Sequence, residues 1–387
     1  MAYWSDLPPE LLDVIATHFD IPSDTRHFRS VCSTWRSTIP RPLPIIFPPI
    51  KFLNSNVHHC DLHLTKHVFF HLSLSFDHDA PGWLIKTEEH HPNTLRLLSP
   101  FSRTLIKQFA PNLPRNLDLT NIQIKELGHE YVLRNVSGAN NMEFYNMDGA
   151  NHYAILSTHN TGKLLIYRSL IEEWTFLDDY TLGYDDRSIF VNDWSLHYVD
   201  VVEFNGTFYA VTNSGRTVSI KIVDSFITIT LLKNSIIGGD KKCLVKLVDQ
   251  LLMIDLYTDM TPGLVKVHGV EIFKLDKEEQ KWLLLKSLGE HAIFLSNHSS
   301  FSAVGLKGCK GNCIYFHFKS LDNKDYLTCS ESKEGDYDKM DNFLWKSDEV
   351  GVFDFEKGIF GKLEEYLEDS RLFSWPPPSW ITSACRI

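Results

Sequence analysis

From about residue 60 onward the chain is a succession of short apolar and aromatic runs bounded by Gly, Asn and Asp, a texture that admits little besides an all-β body. HVFFHLSL, HYAIL, KLLIYRSL, VVEFNGTFYAVT, RTVSIKI, FITITLL, CLVKLV, LLMIDLY, GVEIFKL, KWLLLKSL, CIYFHF and GVFDF each read as a strand or a hairpin. No stretch of convincing helical period competes with them. Asn205-Gly206, between VVEF and TFYAVT, is the strongest short hairpin signal, because a type I′ turn needs positive φ at both central residues. Asn213-Ser214-Gly215 separates the next pair. The units LLIYRSLIEEWTFL, VSIKIVDSFITITLL and EIFKLDKEEQKWLLL begin about 50 residues apart, and VFDFEKGIFGKLE follows after a longer interval; periods of about 40 to 50 residues with four strands each are the signature of propeller blades. The expected fold is therefore mainly β, a β-propeller of about five or six blades by the length available. A pair of β-sandwiches is the competing arrangement.

The N-terminus has a different texture. DLPPELLDVIATHFD and FRSVCSTWRSTI are two short amphipathic segments, followed by Pro40, Pro42, Pro44, Pro48 and Pro49, which rule out further helix. Pro8 and Pro9 sit where a missing N–H costs nothing, and Glu10 places negative charge in the first helical turn. Leu7, Leu11, Ile15 and Phe19 recur every four residues, with Leu12 beside them, as one apolar stripe. In the second segment Phe28, Val31, Cys32, Trp35 and Ile39 share a face, while Arg26, Arg29, Ser33 and Arg36 take the other. A unit this small buries two helical stripes poorly. Its leftover apolar face fits another protein's groove, or else packs on the chain's own β body.

LPPELLDVI followed by FRSVCSTWRS resembles an F-box. The resemblance implies docking to the Skp-type adaptor of cullin-based ubiquitin ligases and, through it, to cullin. Leu7, Pro8, Leu11 and Ile15 match the contact residues of the first helix, and Val31, Cys32, Trp35 and Arg36 match the closing motif. With Glu10 and Leu12 they form the expected adaptor-binding set, in which Trp35 and the leucines are the anchors. Ala16-Thr17-His18-Phe19 departs from the pattern, which more often has a second Leu pair there. FNGTFYAVTNSG, IFKLDKEEQKWLLLKSLGEHAIFLSNHSSFS, GNCIYFHF, GVFDFEKG and WPPPSWI resemble the propeller domain of plant F-box proteins of the SKIP and KIB type, in ordered pieces over most of residues 65 to 381. This second resemblance implies a plant origin and a propeller that binds a protein substrate.

The implied division is an F-box over 1–40, a proline-rich linker over 41–60 and a propeller over 61–387. A polar insertion near 320–350, containing LDNKDYLTCSESKEGDYDKMDN, cannot bury enough apolar surface to order itself. Pro376 to Pro378, between Trp375 and Trp380, form a rigid segment that packs the two tryptophans as part of ring closure or presents a ligand to a proline-reading domain.

A formal charge of −11 with no basic run argues against nucleic-acid and anionic-membrane partners. The polar, aromatic start MAYWSD lacks a leader pattern, and no apolar stretch is long enough to span a bilayer, which places the chain in the cytosol or nucleus. Seven irregularly spaced cysteines fit a reduced compartment, where sequons at Asn135, Asn205 and Asn297 stay silent.

Three constellations invite a chemical reading. His58, His59, Cys60, Asp61, His63, His67 and His71 crowd a short stretch, but in a strand a spacing of four does not by itself converge on one ion. Cys309 and Cys313 lack a second close pair and read as structural thiols beside a turn. Asp178, Asp179, Asp185, Asp186 and Asp193 around Trp194 read as a solvated loop, although paired carboxylates serve glycoside hydrolysis. There is no G-x-S-x-G elbow, Walker loop or GxGxxG after a strand. The expectation is a non-catalytic substrate-receptor subunit with no cofactor and no metal. Its alternatives are an F-box scaffold outside a ligase and a propeller enzyme acting on a small molecule or glycan.

Overall fold

The computed structural model describes residues 7–16, 28, 31–38, 46–47, 62–74, 82–91, 94–101, 103, 122–134, 139–147, 152–177, 197–223, 226–261, 264–296, 299–306, 309–317, 350–363, 366 and 372. Among the described residues, the short helices α1 (Pro9–Ala16) and α2 (Ser33–Thr38), with helical Phe28 and Val31 between them, precede five antiparallel or mixed sheets.

The first sheet contains β1 (Ile46–Phe47), β2 (Leu62–Leu74), β3 (Trp83–His91), β4 (Thr94–Leu98) and β5 (Ile122–Arg134), with β5 paired to β2 along its length. The second is the meander β6 (Ala139–Asn146), β7 (Tyr153–His159), β8 (Leu164–Arg168) and β9 (Glu173–Leu177). The third is β10 (Tyr198–Phe204), β11 (Thr207–Thr212), β12 (Thr217–Val223) and β13 (Phe226–Leu231). The fourth is β14 (Lys241–Lys246), β15 (Leu251–Thr261), β16 (Leu264–Asp276) and β17 (Lys281–Leu284). The fifth comprises β18 (His291–Leu295), β19 (Ser300–Val304), β20 (Cys313–His317), β21 (Val350–Asp354) and β22 (Ile359–Lys362). Its spatial order is β19-β18-β20-β21-β22, with β18 and β20 parallel.

Strands β5, β6, β10, β14 and β19 touch one another in turn, and β19 returns to β5. They are the innermost strands of a closed ring, so the propeller has five blades. The sequence repeat maps onto the outer hairpins β8–β9, β12–β13, β16–β17 and β21–β22. Asn205 and Gly206 have φ of 51° and 76°, the backbone the type I′ hairpin between β10 and β11 requires.

Each blade interface has its own apolar layer. Leu156, Ile166, Phe208 and Ile220 fill the space between blades two and three, and Phe204, Tyr209, Met253 and Trp282 that between three and four. Ile254, Ile272, Ile314 and Phe316 separate four from five. Among the described residues blades five and one share no strand, and packing joins them: the Phe69 ring lies tilted against Phe301 and the Phe294 ring stacks on it, with centroids 4.4 and 4.8 Å away. Gly128 lets β5 come this close, since a Cβ there would lie 3.0 Å from Phe301 Cβ.

Blade one also buries charge. Lys86 Nζ lies 2.5 Å from Glu130 Oε1, His67 Nδ1 is 2.8 Å from the same oxygen, and Arg103 Nε is 3.4 Å away. Burial alone would raise the Glu130 pKa, but Lys86, Arg103 and His67 outweigh it and hold the carboxyl well below the usual range. Burial lowers the pKa of His67.

Candidate functional site

Two regions gather side chains with functional chemistry: the helical module and the inner ring. In the module, α1 begins on the Pro8 carbonyl, which accepts from Leu11 N at 3.1 Å and Leu12 N at 3.2 Å. Leu12, Phe28 and Trp35 form a small core, with the Phe28 and Trp35 rings 4.4 Å apart, and Leu7, Ile15 and Cys32 pack against it. Trp35 N also approaches Cys32 Sγ at 3.5 Å.

This core divides the expected adaptor-binding set. Leu12 and Trp35 point inward, and Leu7, Ile15 and Cys32 are half-buried. Pro8, Glu10, Leu11, Val31 and Arg36 are exposed. Leu11 and Leu12 are 100° apart around the helix, so only one of them can face the Phe28–Trp35 pair. Leu11 is left 51 % exposed, Val14 55 % and Val31 54 %. Val14 was not among the expected residues; its signal was the i, i+3 spacing from Leu11. Phe19 and Ile39 lie outside the described residues.

The inner ring presents ionisable groups toward its axis. Lys246 Nζ on β14 meets Glu143 Oε2 on β6 at 3.2 Å, across the intervening β10. Burial raises the Glu143 pKa despite that lysine. Lys66 approaches Glu126 at 3.5 Å, and His129 Nδ1 lies 3.7 Å from the same carboxylate. Burial lowers the His129 pKa and raises that of Tyr131. These side chains sit on strands whose alternate residues must be polar, which is why β5 and β6 escaped the apolar pattern of the sequence.

At one end of the ring, Asp200 ties three blades together. Its Oδ1 accepts from Asn141 Nδ2 of β6 at 2.8 Å and from Val201 N at 2.9 Å, and its Oδ2 accepts from Leu244 N of β14 at 2.7 Å. Burial pushes its carboxyl up to about 7, against the pull of these hydrogen bonds. Ser300 Oγ donates to Leu244 O at 2.5 Å, and Ser302 Oγ to Lys246 O at 3.2 Å, linking blade five to blade four. No sequence motif marked Asn141 or Asp200.

Of the histidine-rich stretch, His67 and His71 are buried in β2, His63 lies in the same strand, and His58, His59, Cys60 and Asp61 fall outside the described residues. No three metal-ligating side chains converge among the described residues. Cys309 and Cys313 belong to the layer between blades five and one, where burial pushes their thiols up to about 12 and about 11. Asp178, Asp179, Asp185, Asp186 and Asp193, nearly all of the 320–350 insertion and the Trp375–Trp380 segment lie outside the described residues. No described helix is long and apolar enough to cross a membrane.

Comparison with known proteins agrees with this two-part architecture. The F-box domain family matches residues 4–46, and the KIB1-4 beta-propeller family matches residues 55–354. The Arabidopsis thaliana F-box protein SKIP23 is 30% identical, the alignment covering 100% of this chain and 97% of the relative. The Arabidopsis thaliana F-box protein At2g17036 is 27% identical, with 99% and 96% covered.

Proposed function

The chain belongs to the F-box proteins that carry a KIB1-4 β-propeller, and from that premise we propose that it is a substrate receptor of a cullin-based ubiquitin ligase. The observation that carries the reading is the exposed apolar trio Leu11, Val14 and Val31 on a module whose own core is already filled by Leu12, Phe28 and Trp35. Exposed large apolar side chains, two of them (Leu11 and Val14) at i, i+3 on one helix, suit the hydrophobic groove of a partner, here a Skp-type adaptor. The exposed Pro8, Glu10 and Arg36 complete the proposed contact set, while Leu7, Leu12, Ile15, Cys32 and Trp35 hold the module in shape.

The contribution to ubiquitylation is proximity. A client held on the propeller and an adaptor held on the helices share one chain, which raises the effective concentration of the client's lysines near the ubiquitin-charged enzyme. The chemistry belongs to other subunits, and this chain needs no cofactor for the task. The cytosol or nucleus is where such an assembly would act.

The test is reconstitution with a plant Skp-type adaptor, cullin and the charged enzyme. Co-purification with the adaptor and ubiquitylation of a bound client are the expected results. Failure of the intact chain to hold the adaptor overturns the reading, and adaptor binding without ubiquitylation of any bound protein would instead make it a scaffold.

A further inference from the structure

Asn141 and Asp200 line a cavity of about 30 Å³ where β6, β10 and β14 begin, with Ser296, Ser299 and Ser300 of blade five on its far wall. Both residues adjoin β-bulges. The β6–β7 pairing passes from Ala139↔His159 to Met142↔Ser157, and the β10–β11 pairing from Tyr198↔Thr212 to Asp200↔Val211. An extra residue in a strand re-aims its neighbours, and bulges recur beside functional sites for that reason. Here two adjacent inner strands carry one at the same end of the ring.

The orientation of the Asn141 amide follows from its partners. Nδ2 donates to Val199 O at 3.0 Å and to Asp200 Oδ1 at 2.8 Å; the Val199 carbonyl can only accept, so the opposite end of the amide is the carbonyl oxygen. That Oδ1 is buried with no donor, on a residue only 8 % exposed. A buried acceptor left unmatched is costly, and it indicates a missing donor.

The surrounding groups also favour a donor. Asp200, Asp240 and Lys241 share the cavity wall with Lys242, which is matched by Asp255 Oδ1 at 2.7 Å and Gly239 O at 2.6 Å, while Asp240 Oδ2 accepts from Thr258 N at 2.7 Å. Ser300 spends its hydroxyl proton on Leu244 O, which leaves its oxygen as an acceptor.

We propose that this cavity binds a primary ammonium group, with Asp200, Asn141 Oδ1 and the Ser300 hydroxyl as its acceptors. Three acceptors meet the three N–H bonds of an ammonium. The cavity has room for a small polar head group, and an ammonium is a more compact donor than the planar fork of a guanidinium. The cation is either a lysine side chain of a bound client, which rests on the substrate-receptor reading, or a free small amine, which does not.

The test is calorimetric titration of the full chain, co-purified with a Skp-type adaptor, with three probes: N-acetyl-lysine methylamide, N-acetyl-norleucine methylamide and putrescine. Saturable binding of the lysine compound or the diamine, and none of the norleucine compound, is expected. At pH 8, where the Asp200 carboxyl is ionised, Asp200→Asn should weaken binding by about thirtyfold or more, the scale seen when one partner of a buried charge pair is truncated, with the adaptor still bound. Asp240→Asn and Ser300→Ala, expected to weaken it less, carry the test should Asp200→Asn not fold. A blocked lysine preferred over putrescine points to a client side chain, and the reverse preference to a free amine. Absence of binding by both amines, equal binding of the norleucine compound, or full affinity in the folded variants overturns the site. A chain that binds amines but never holds the adaptor would instead overturn the receptor reading and leave the site standing.

Discussion

Asp200 on β10 accepts the backbone N–H of Leu244 on β14 through Oδ2 at 2.7 Å, so one side chain of blade three supplies a hydrogen bond that the neighbouring blade's innermost strand would otherwise lack. Its ionisation is therefore tied to the register of the ring. Burial raises this carboxyl from its ordinary 3.8 to about 7, so between those values the folded chain holds a proton that the unfolded chain has lost. A raised carboxyl contributes stability that is present at low pH and lost as pH rises through the folded-state value. Denaturant midpoints at pH 5 and pH 8 should accordingly fall more in the parent chain than in Asp200→Asn. Equal slopes would mean that Asp200 is ionised at both pH values.

The helical module should separate two classes of variant. Leu12→Ala and Trp35→Ala open its core, at a cost of about 2–5 kcal/mol each, and should abolish both module folding and adaptor binding. Leu11→Ala combined with Val31→Ala removes exposed side chains, so far-ultraviolet circular dichroism and thermal midpoint should stay near those of the parent while adaptor co-purification is lost. Retained co-purification in that pair would place the docking surface elsewhere on the chain.

Glu130→Gln should leave Lys86, 1 % exposed, with its charge uncompensated, and cost about 3–5 kcal/mol in equilibrium unfolding. Adding Lys86→Met to Glu130→Gln should recover much of that loss, because the double variant buries no unmatched lysine. A double variant as unstable as Glu130→Gln alone would assign the cost to His67 and Arg103 instead.

Two glycines of positive φ should respond differently to alanine. Gly358, at +66°, has open space where a Cβ would go and should lose only the left-handed backbone penalty of about 1–2 kcal/mol. Gly215, at +79°, would place its Cβ 1.8 Å from the Ile236 carbonyl oxygen, at the junction of blades three and four. Gly215→Ala should therefore destabilise the chain clearly more than Gly358→Ala in thermal melts, and equal effects would show that the junction relaxes.

The outer hairpins were legible because each joins two β-rich runs across a short polar turn, and that local pattern repeats. Asn205-Gly206 specified its own turn for the same reason: the backbone preference resides in the two residues themselves. The inner strands β5 and β6 were not legible. Their axis-facing positions hold Glu126, His129, Glu143 and similar residues, which erase the apolar signal wherever a strand borders a polar interior.

The sequence by itself determined a helical pair with F-box spacing, a run of hairpins of propeller period and a family signature along most of its length, all properties of residues close together in the chain. The number of blades, the closing of the ring through Phe69, Phe294 and Phe301, and the meeting of Asn141, Asp200 and Ser300 at its mouth were decided only in three dimensions. Which of two adjacent leucines, Leu11 or Leu12, would remain exposed was settled there too, by the Phe28–Trp35 pair opposite. Local periodicity encodes which face of an element is apolar, but what covers that face depends on segments tens to hundreds of residues away, and only their packing selects it.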